Sequence, residues 1–341
     1  KADLTINING ATTTYGTALD MTTHGYTLDG VVNNDDEEAL KSDIDLAKGS
    51  YVTTAAYTGK AGTHNNVLGF EKAEDVKELD VLNNYEVTIV NGTVVVNPKA
   101  LSVNDIIAEI QYGNTNGDFT FKANEKGRLE GVVGEDKVSL VIDDTLGTEV
   151  VTGSAYDDAI GDGKHTANVR DDVYAGSIKV TGYELTGDDA SNYTLENSAV
   201  GGIRVTKADL TININGATTT YGTAFDATKY GYTIDGHANG DTDAAIRNLI
   251  GDVTYSNTGI GTGGSNVTGN VGDYVLSFVN NVNLNNYNVS VTNGTAKVTP
   301  ATLTIIANNS SVNYGDKPIY SGSVTGFVNG DSAQSLGYEE F

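Results

Sequence analysis

Apolar and polar residues alternate at the start of the chain, in Leu4-Thr5-Ile6-Asn7-Ile8, and the pair Asn9-Gly10 follows. A period of two is typical of a half-buried β-strand, and Asn-Gly favours a turn. We therefore predict a strand that runs into a turn. The eighteen residues from Lys1 to Ala18 return letter for letter from Lys207 to Ala224, which indicates a tandem duplication.

Looser copies of this opening begin at Leu101 and Leu303, and in all four copies a leucine stands eleven residues before the tyrosine of a Tyr-Gly pair. The spacing predicts three complete repeats and a truncated fourth, which we call segments 1 to 4: residues 1–98, 99–206 (with acidic insertions), 207–300 and 301–341. We expect each Tyr-Gly pair to be a structural anchor that opens the second strand region. These anchors are Tyr15 and Gly16, Tyr112 and Gly113, Tyr221 and Gly222, and Tyr314 and Gly315.

A polar, turn-forming stretch follows in each segment, with an apolar residue at a constant distance behind it. The four stretches are Asn33 to Asp36 before Leu40, Val133 to Asp136 before Leu140, Asn239 to Thr242 before Ile246, and Asn329 to Ser332 before Leu336. In segments 1 and 3 the residues behind the stretch predict a short helix, and we interpret its acidic residue as a helix cap. Segment 2 predicts a strand at this place.

The end of each segment predicts paired strands. Apolar alternation on both sides of Asn91 and Gly92, and again of Asn293 and Gly294, favours a β-hairpin with a two-residue turn. This register would place Ile89 opposite Val94 in segment 1. The tyrosines of the Asn-Tyr pairs before these strands recur once per segment, so we predict that they are core residues: Tyr85, Tyr193 and Tyr287.

Together these patterns predict a mainly β protein, built as a tandem array of Ig-like β-sandwich repeats that each carry one short helix. A β-grasp-like sheet packed on the helix is the alternative. Only a few residues separate the last strand of one segment from the first of the next, and they lack the composition of a flexible linker.

Charge and composition narrow the possible functions. The chain has 45 acidic and 20 basic side chains and a formal net charge of −25. Such a surface repels nucleic acid phosphates and anionic lipid, so we expect no nucleic-acid partner. Cysteine is absent, which fits a secreted bacterial polypeptide as well as a cytosolic one. We expect no membrane insertion by this chain, since no apolar run is long enough. We interpret the chain as part of a larger polypeptide.

Candidate chemistry is sparse. The four histidines lie far apart, and no nucleophile elbow or phosphate-binding loop is present, so we expect no enzymatic activity and no cofactor. Calcium is the main chemical alternative, because carboxylates are hard oxygen ligands. Its weak candidate ligands are Asp241 and Asp243, which lack the glycine and glutamate of a calcium loop, and the cluster of Asp157, Asp158 and Asp162.

The order of these motifs resembles the MBG and YDG repeat families. It runs from the Leu-Thr-Ile opening through Tyr-Gly, Asn-Gly-Asp and Asn-Tyr to Asn-Gly-Thr, and segment 4 is the nearest match, with Tyr314-Gly315-Asp316 and Asn329-Gly330-Asp331. The resemblance implies an extracellular stalk of a large bacterial surface or secreted adhesin of the filamentous-haemagglutinin-like kind, supporting attachment or biofilm cohesion. Two other functions stay open: a repeat module that binds host or matrix glycans, and a filament or surface lattice in which neighbouring copies associate.

Overall fold

A computed structural model describes residues 1–22, 24–160, 165–196, 198–225, 230–257 and 269–337. The chain is mainly β, as the sequence predicted. Its Cα packing divides it into two compact units. Unit 1 comprises Lys1–Ala108, Phe121–Ser154 and Ala175–Ile203, and unit 2 comprises Glu109–Thr120, Ala155–Tyr174 and Arg204–Phe341. Segments 1 and 3 therefore each lie within one unit, and segment 2 contributes to both.

Segment 1 forms two sheets and three helical elements. The strands are β1 (Ala2–Ile8), β2 (Ala11–Thr14), β3 (Tyr26–Asp29), β4 (Tyr51–Thr53), β5 (Gly62–Phe70), β6 (Tyr85–Val90) and β7 (Gly92–Asn97), and the helices are α1 (Glu37–Ala47), α2 (Ala73–Lys77) and a 3-10 turn at Asp80–Leu82. The sheet orders are β3-β1-β6 and β2-β7-β5-β4. Strand β1 runs parallel to β6, and β2 runs parallel to β7.

The core of segment 1 lies under both sheets and α1. The alternation in β1 buries Leu4, Ile6 and Ile8, and α1 adds Leu40 and Ile44. Helix α1 begins where the side chain of Asp36 accepts the backbone amides of Glu38 and Ala39, as an N-cap does. The predicted helix of segment 1 is therefore confirmed.

Segment 3 repeats this arrangement. Its elements are β14 (Ala208–Ile214), β15 (Ala217–Thr220), β16 (Tyr232–Asp235), α4 (Asp243–Ile250), β17 (Tyr255–Asn257), β18 (Gly272–Phe278), β19 (Tyr287–Thr292) and β20 (Gly294–Thr299). The sheet orders are β16-β14-β19 and β15-β20-β18-β17. Ala208 pairs with Tyr287 as Ala2 pairs with Tyr85. Helix α4 begins at its cap Thr242 and ends at Gly251, so the second predicted helix is also confirmed.

Segment 2 keeps the parallel pairing of the first strand with the next-to-last strand but has longer strands. Its elements are β8 (Lys99–Gln111), β9 (Thr120–Glu130), β10 (Ser139–Val150), α3 (Ala155–Ile160), β11 (Tyr174–Thr186), a 3-10 turn at Ala190–Asn192, β12 (Tyr193–Leu195) and β13 (Ser198–Thr206). The strands form one six-stranded sheet of order β10-β11-β13-β8-β12, with β9 on β8. Strand β10 confirms the strand predicted there. Segment 4 contributes β21 (Thr304–Ala307) and β22 (Gly322–Thr325), which pair with each other.

The predicted hairpins at Asn91-Gly92 and Asn293-Gly294 are wrong. Strands β6 and β7 lie in different sheets, and so do β19 and β20, so Ile89 does not pair with Val94. At Gly92 the extended chain passes from one sheet to the other against the same passage at Asn9-Gly10. A Cβ on Gly92 would lie 2.5 Å from the carbonyl oxygen of Asn9, so glycine is required for close backbone contact rather than for a reversal.

Candidate functional site: the tyrosine–aspartate joints

The Tyr-Gly pairs form tight turns at the ends of β2, β8 and β15, and so do not open a strand as predicted. The amide of Thr17 bonds to the carbonyl of Thr14, and the amide of Asn114 bonds to that of Gln111. Gly16 has a φ of 78° and Gly113 a φ of 89°. A type II turn needs positive φ at its third residue, which explains the glycine and leaves the tyrosine at the projecting corner.

A second turn precedes each predicted helix position, and here the structure corrects the sequence alignment. The amide of Asp35 bonds to the carbonyl of Val32, that of Asp136 to Val133, that of Asp241 to Ala238 and that of Asp331 to Val328. The equivalent residues are therefore Asp35, Asp136, Asp241 and Asp331, which moves the alignment of segment 2 by one residue. The helix caps, Asp36 and Thr242, are the residues that follow, so the recurrent aspartate has another role.

The recurrent tyrosine of the Asn-Tyr pair bridges this second turn. In segment 2 the hydroxyl of Tyr193 accepts the amide of Val133 at 2.8 Å and donates to Oδ2 of Asp136 at 2.5 Å. Tyr287 bonds to Ala238 and Asp241 in the same way, at 3.1 and 2.7 Å. In segment 1 the corresponding distances from Tyr85 are 3.2 Å to Val32 and 2.5 Å to Asp35. All three tyrosines are buried, as predicted.

Joint 1 forms within unit 1, where the Tyr-Gly turn of segment 1 meets this turn of segment 2. The hydroxyl of Tyr15 donates to Oδ2 of Asp136 at 2.7 Å, so one carboxylate oxygen accepts two phenols. The rings of Tyr15 and Tyr193 meet edge to face with centroids 5.3 Å apart, a favourable aromatic geometry. Gly16 packs on Val133, and a Cβ there would lie 2.6 Å from a methyl group.

Joint 2 forms within unit 2 from the same residue types. Tyr112 donates to Oδ2 of Asp241 at 3.0 Å, beside the bond from Tyr287. The rings of Tyr112 and Tyr287 meet edge to face at 5.5 Å. Gly113 packs on Ala238, where a Cβ would lie 2.6 Å from the Cβ of Ala238.

The asparagine of each Asn-Tyr pair also belongs to the joint. The side-chain oxygen of Asn192 accepts the amide of Ala61 at 3.0 Å in joint 1, and that of Asn286 accepts the amide of Val169 at 2.9 Å in joint 2. In both cases a backbone donor of one segment is satisfied by a side chain of the next. Asn192 is 1% exposed, so this bond replaces one that water would otherwise make.

Electrostatics follow from the shared carboxylate. The two hydrogen bonds, first from Tyr193 and then from Tyr15, hold the pKa of Asp136 below its usual range. The bond to Asp136 in turn raises the pKa of Tyr15 to about 12, and burial adds to this effect. Burial, then the bond to Asp241, raises the pKa of Tyr287. The joints are therefore held by hydrogen bonds from neutral phenols to a charged carboxylate. Such bonds are stronger than hydrogen bonds between neutral groups.

Two Tyr-Gly pairs lie outside complete joints. Tyr221 bonds through its amide to the carbonyl of Thr299, as Tyr15 bonds to Asn97, and Gly222 packs against Val328. Tyr314 is fully exposed, and a Cβ on Gly315 would meet open space. Sequence reasoning placed each motif in its own segment, whereas the joints pair motifs of neighbouring segments.

The calcium candidates do not come together in the described residues. Asp241 accepts the two tyrosines of joint 2, and Asp243 pairs with Arg247 at 2.6 Å. Asp157 and Asp158 lie in the first turn of α3, and Asp162 lies outside the described residues. Within the described part of the chain, no three His, Cys, Asp or Glu side chains are placed to hold a metal ion.

No family model, curated protein or solved structure matches this chain. Among the residues that the structure describes, no helix has the length and apolar character of a membrane span.

Proposed function

We propose that this chain is a spacer of an extracellular bacterial adhesin, in which tandem β repeats hold a binding region at a fixed distance from the cell. The repeated formation of one joint from Tyr-Gly, Asp and Asn-Tyr supports this proposal most directly. A spacer needs the same contact at every boundary, whereas a binding or catalytic site need occur only once. The motif order that resembles MBG and YDG repeats supports the extracellular location.

The chemistry of the joints also favours a positional role. Their phenols and carboxylates are satisfied by one another, and the tyrosines of the three Asn-Tyr pairs are buried. A buried ring offers no face on which a sugar could stack, so these recurrent tyrosines favour the spacer over the glycan-binding alternative. We further propose that segments 1 and 3 are repeats with an Ig-like sandwich of two short sheets, with the β-grasp-like arrangement as the alternative, and that segment 2 is a repeat in which these strands have merged into one sheet.

Spin labels across joint 1 would test the proposal. The chain contains no cysteine, so Leu46→Cys and Val200→Cys, both at exposed positions in unit 1, give a single labelled pair. We expect a narrow distance distribution by double electron–electron resonance. Combining Tyr15→Phe with Asp136→Ala should broaden it, and Asp188→Ala, a matched change at an exposed acid, should leave it unchanged. A distribution that is equally broad in all three proteins would contradict a fixed spacing.

The other functions make different predictions. Reproducible binding of the intact chain to members of a glycan array would favour the glycan-binding module. Concentration-dependent oligomers in sedimentation would favour the filament or lattice. A melting temperature that rises with calcium and falls with a chelator would indicate a calcium site. The spacer proposal expects none of these three results.

A further inference from the structure

Segment 1 carries all the residues of the turn that accepts a neighbouring tyrosine in joints 1 and 2, but among the described residues its own tyrosine alone bonds to it. We define this acceptor face by Val32, Asp35, Asn84 and Tyr85. Tyr85 donates to Oδ2 of Asp35, as Tyr193 does to Asp136. In the two complete joints the same oxygen also accepts a tyrosine of the neighbouring segment, whereas Asp35 accepts Tyr85 alone among the described residues.

The exposure of the acceptor face shows the same difference. Val32 is 39% exposed, whereas its equivalents Val133 and Ala238 are partly buried against a glycine of the neighbouring turn. Asn84 is exposed, whereas its equivalent Asn192 is buried and accepts a backbone amide. A preformed carboxylate, an apolar patch and an amide acceptor thus lie together without the partner that covers them in joints 1 and 2.

We infer that this acceptor face binds the Tyr-Gly turn of a further repeat of the same kind, linked ahead of Lys1. The tyrosine would donate to Asp35, its ring would lie edge-on against Tyr85, and its glycine would pack on Val32. The backbone is already set for this contact, since the amide of Ala2 bonds to the carbonyl of Asn84 as that of Ala208 bonds to Asn286 in joint 2.

A linked repeat fits this acceptor face better than a second copy of the chain. In both joints the two halves belong to segments joined directly in the chain, and the contact consists of the Tyr-Gly turn together with one backbone amide that the asparagine accepts. A short connection supplies an effective concentration in the millimolar range without any added contact.

A fusion protein tests this inference with a native connection. Because Lys1 to Ala18 are identical to Lys207 to Ala224, a copy of residues 99–206 placed before Lys1 reproduces the sequence around the natural boundary at Thr206. Gly113→Cys in the added copy and Val32→Cys in segment 1 would then form a disulfide only if the added turn docks. The pair Gly16→Cys with Val133→Cys calibrates the reaction in joint 1. In joint 1 the ideal Cβ at position 16 lies 3.6 Å from the Cβ of Val133, within disulfide range.

We expect the fusion to cross-link like the calibration pair, and roughly a hundredfold faster than separate chains at about 10 µM. Replacing Val32→Cys by Leu46→Cys, at another exposed apolar position, should abolish the fast reaction, and Asp35→Ala should slow it. Cross-linking no faster than with Leu46→Cys would overturn the inference. Equal rates in the fusion and between separate chains, the latter carrying Gly315→Cys and Val32→Cys, would also overturn it in favour of a second copy.

Discussion

Joint 1 and joint 2 hold the same three side chains in the same way, but their surroundings differ. In joint 1 Tyr15 is half-buried, and the turn residue after Val133 is Gly134, which is exposed. In joint 2 Tyr112 is buried, and the equivalent residue is Asn239, which is also buried. Its side chain accepts the amides of His165 and Thr166 and donates to the carbonyl of Thr166. The contact of two tyrosines with one aspartate is therefore constant, whereas the residues around it differ between the two joints.

Removing the shared carboxylate should lower the local stability more than any other change, and more in joint 2 than in joint 1. Asp241→Ala would leave two buried phenols without their acceptor, so we expect a loss of about 3 kcal/mol in local stability. Asp136→Ala should be milder, because the half-buried Tyr15 can bond to water. Amide hydrogen exchange at Tyr15 and Tyr112 would measure both joints, since tandem units need not unfold in one step. Asp243→Ala is the surface control, and equal losses in both joints would contradict the role of burial.

The contribution of the residues around joint 2 can be tested at Asn239 and at its exposed equivalent Asn33. Both have a φ between 55° and 58°, so the change to alanine introduces the same strain of about 1 kcal/mol. Asn239→Ala also removes three hydrogen bonds, two of them buried, which should cost about 2 kcal/mol more. The difference in amide hydrogen exchange between the two variants gives the contribution of the hydrogen bonds made by the Asn239 side chain. If both variants lose the same stability, these hydrogen bonds contribute nothing.

Glycine at the turn can be tested by addition of one methyl group. Gly16→Ala should destabilise joint 1 through positive φ, by about 1 kcal/mol, and through contact with Val133. Trimming the neighbour with Val133→Ala should restore part of the loss. In joint 2 the new methyl would also lie 2.6 Å from the backbone nitrogen of Asn239, so Ala238→Gly should not rescue Gly113→Ala. Gly315→Ala, in open space at φ 98°, provides the control for strain alone.

The smallest expected effect is a change in pH dependence at joint 1. The lowered pKa of Asp136 contributes stability above the unfolded value of about 3.9, which is lost as the pH falls through the folded pKa. The raised pKa of Tyr15 contributes stability below about pH 10, which is lost as the pH rises toward 12. Tyr15→Phe should weaken both trends slightly and remove one late step from the ultraviolet titration of the phenols. Tyr320→Phe, at an exposed position, is the control and should leave both pH trends in stability unchanged.

Local patterns were sufficient for part of this structure. Alternation in residues 4–8 predicted β1, and the helices α1 and α4 followed from a capping residue before apolar positions on one face. The buried tyrosines could also be predicted, because recurrence before an apolar strand indicates packing. These features depend on residues close together in the chain.

The remainder depended on partners far apart in the sequence. The sequence Asn91-Gly92 fits both a chain reversal and a close passage past another backbone. The close passage is identified only by the nearby carbonyl of Asn9, which is distant in the sequence. Asp35 and Asp36 are neighbours of the same type, yet one bonds to Tyr85 and the other caps a helix. A signal for the joints was present, since Tyr-Gly, the aspartate and Asn-Tyr recur in a fixed order, but their pairing crosses the segment boundary.

The sharing of one carboxylate oxygen by two tyrosines gives each complete segment two different ends. The Tyr-Gly turn is the donor half of a joint, and the aspartate with its own tyrosine is the acceptor half, so a single segment carries both halves but cannot join them to each other. An in-frame duplication of one segment therefore supplies a matching pair of new halves without any compensating mutation. Gene recombination can lengthen or shorten such a chain by whole segments, and the identical stretches at Lys1 and Lys207 have the form that such an event would leave.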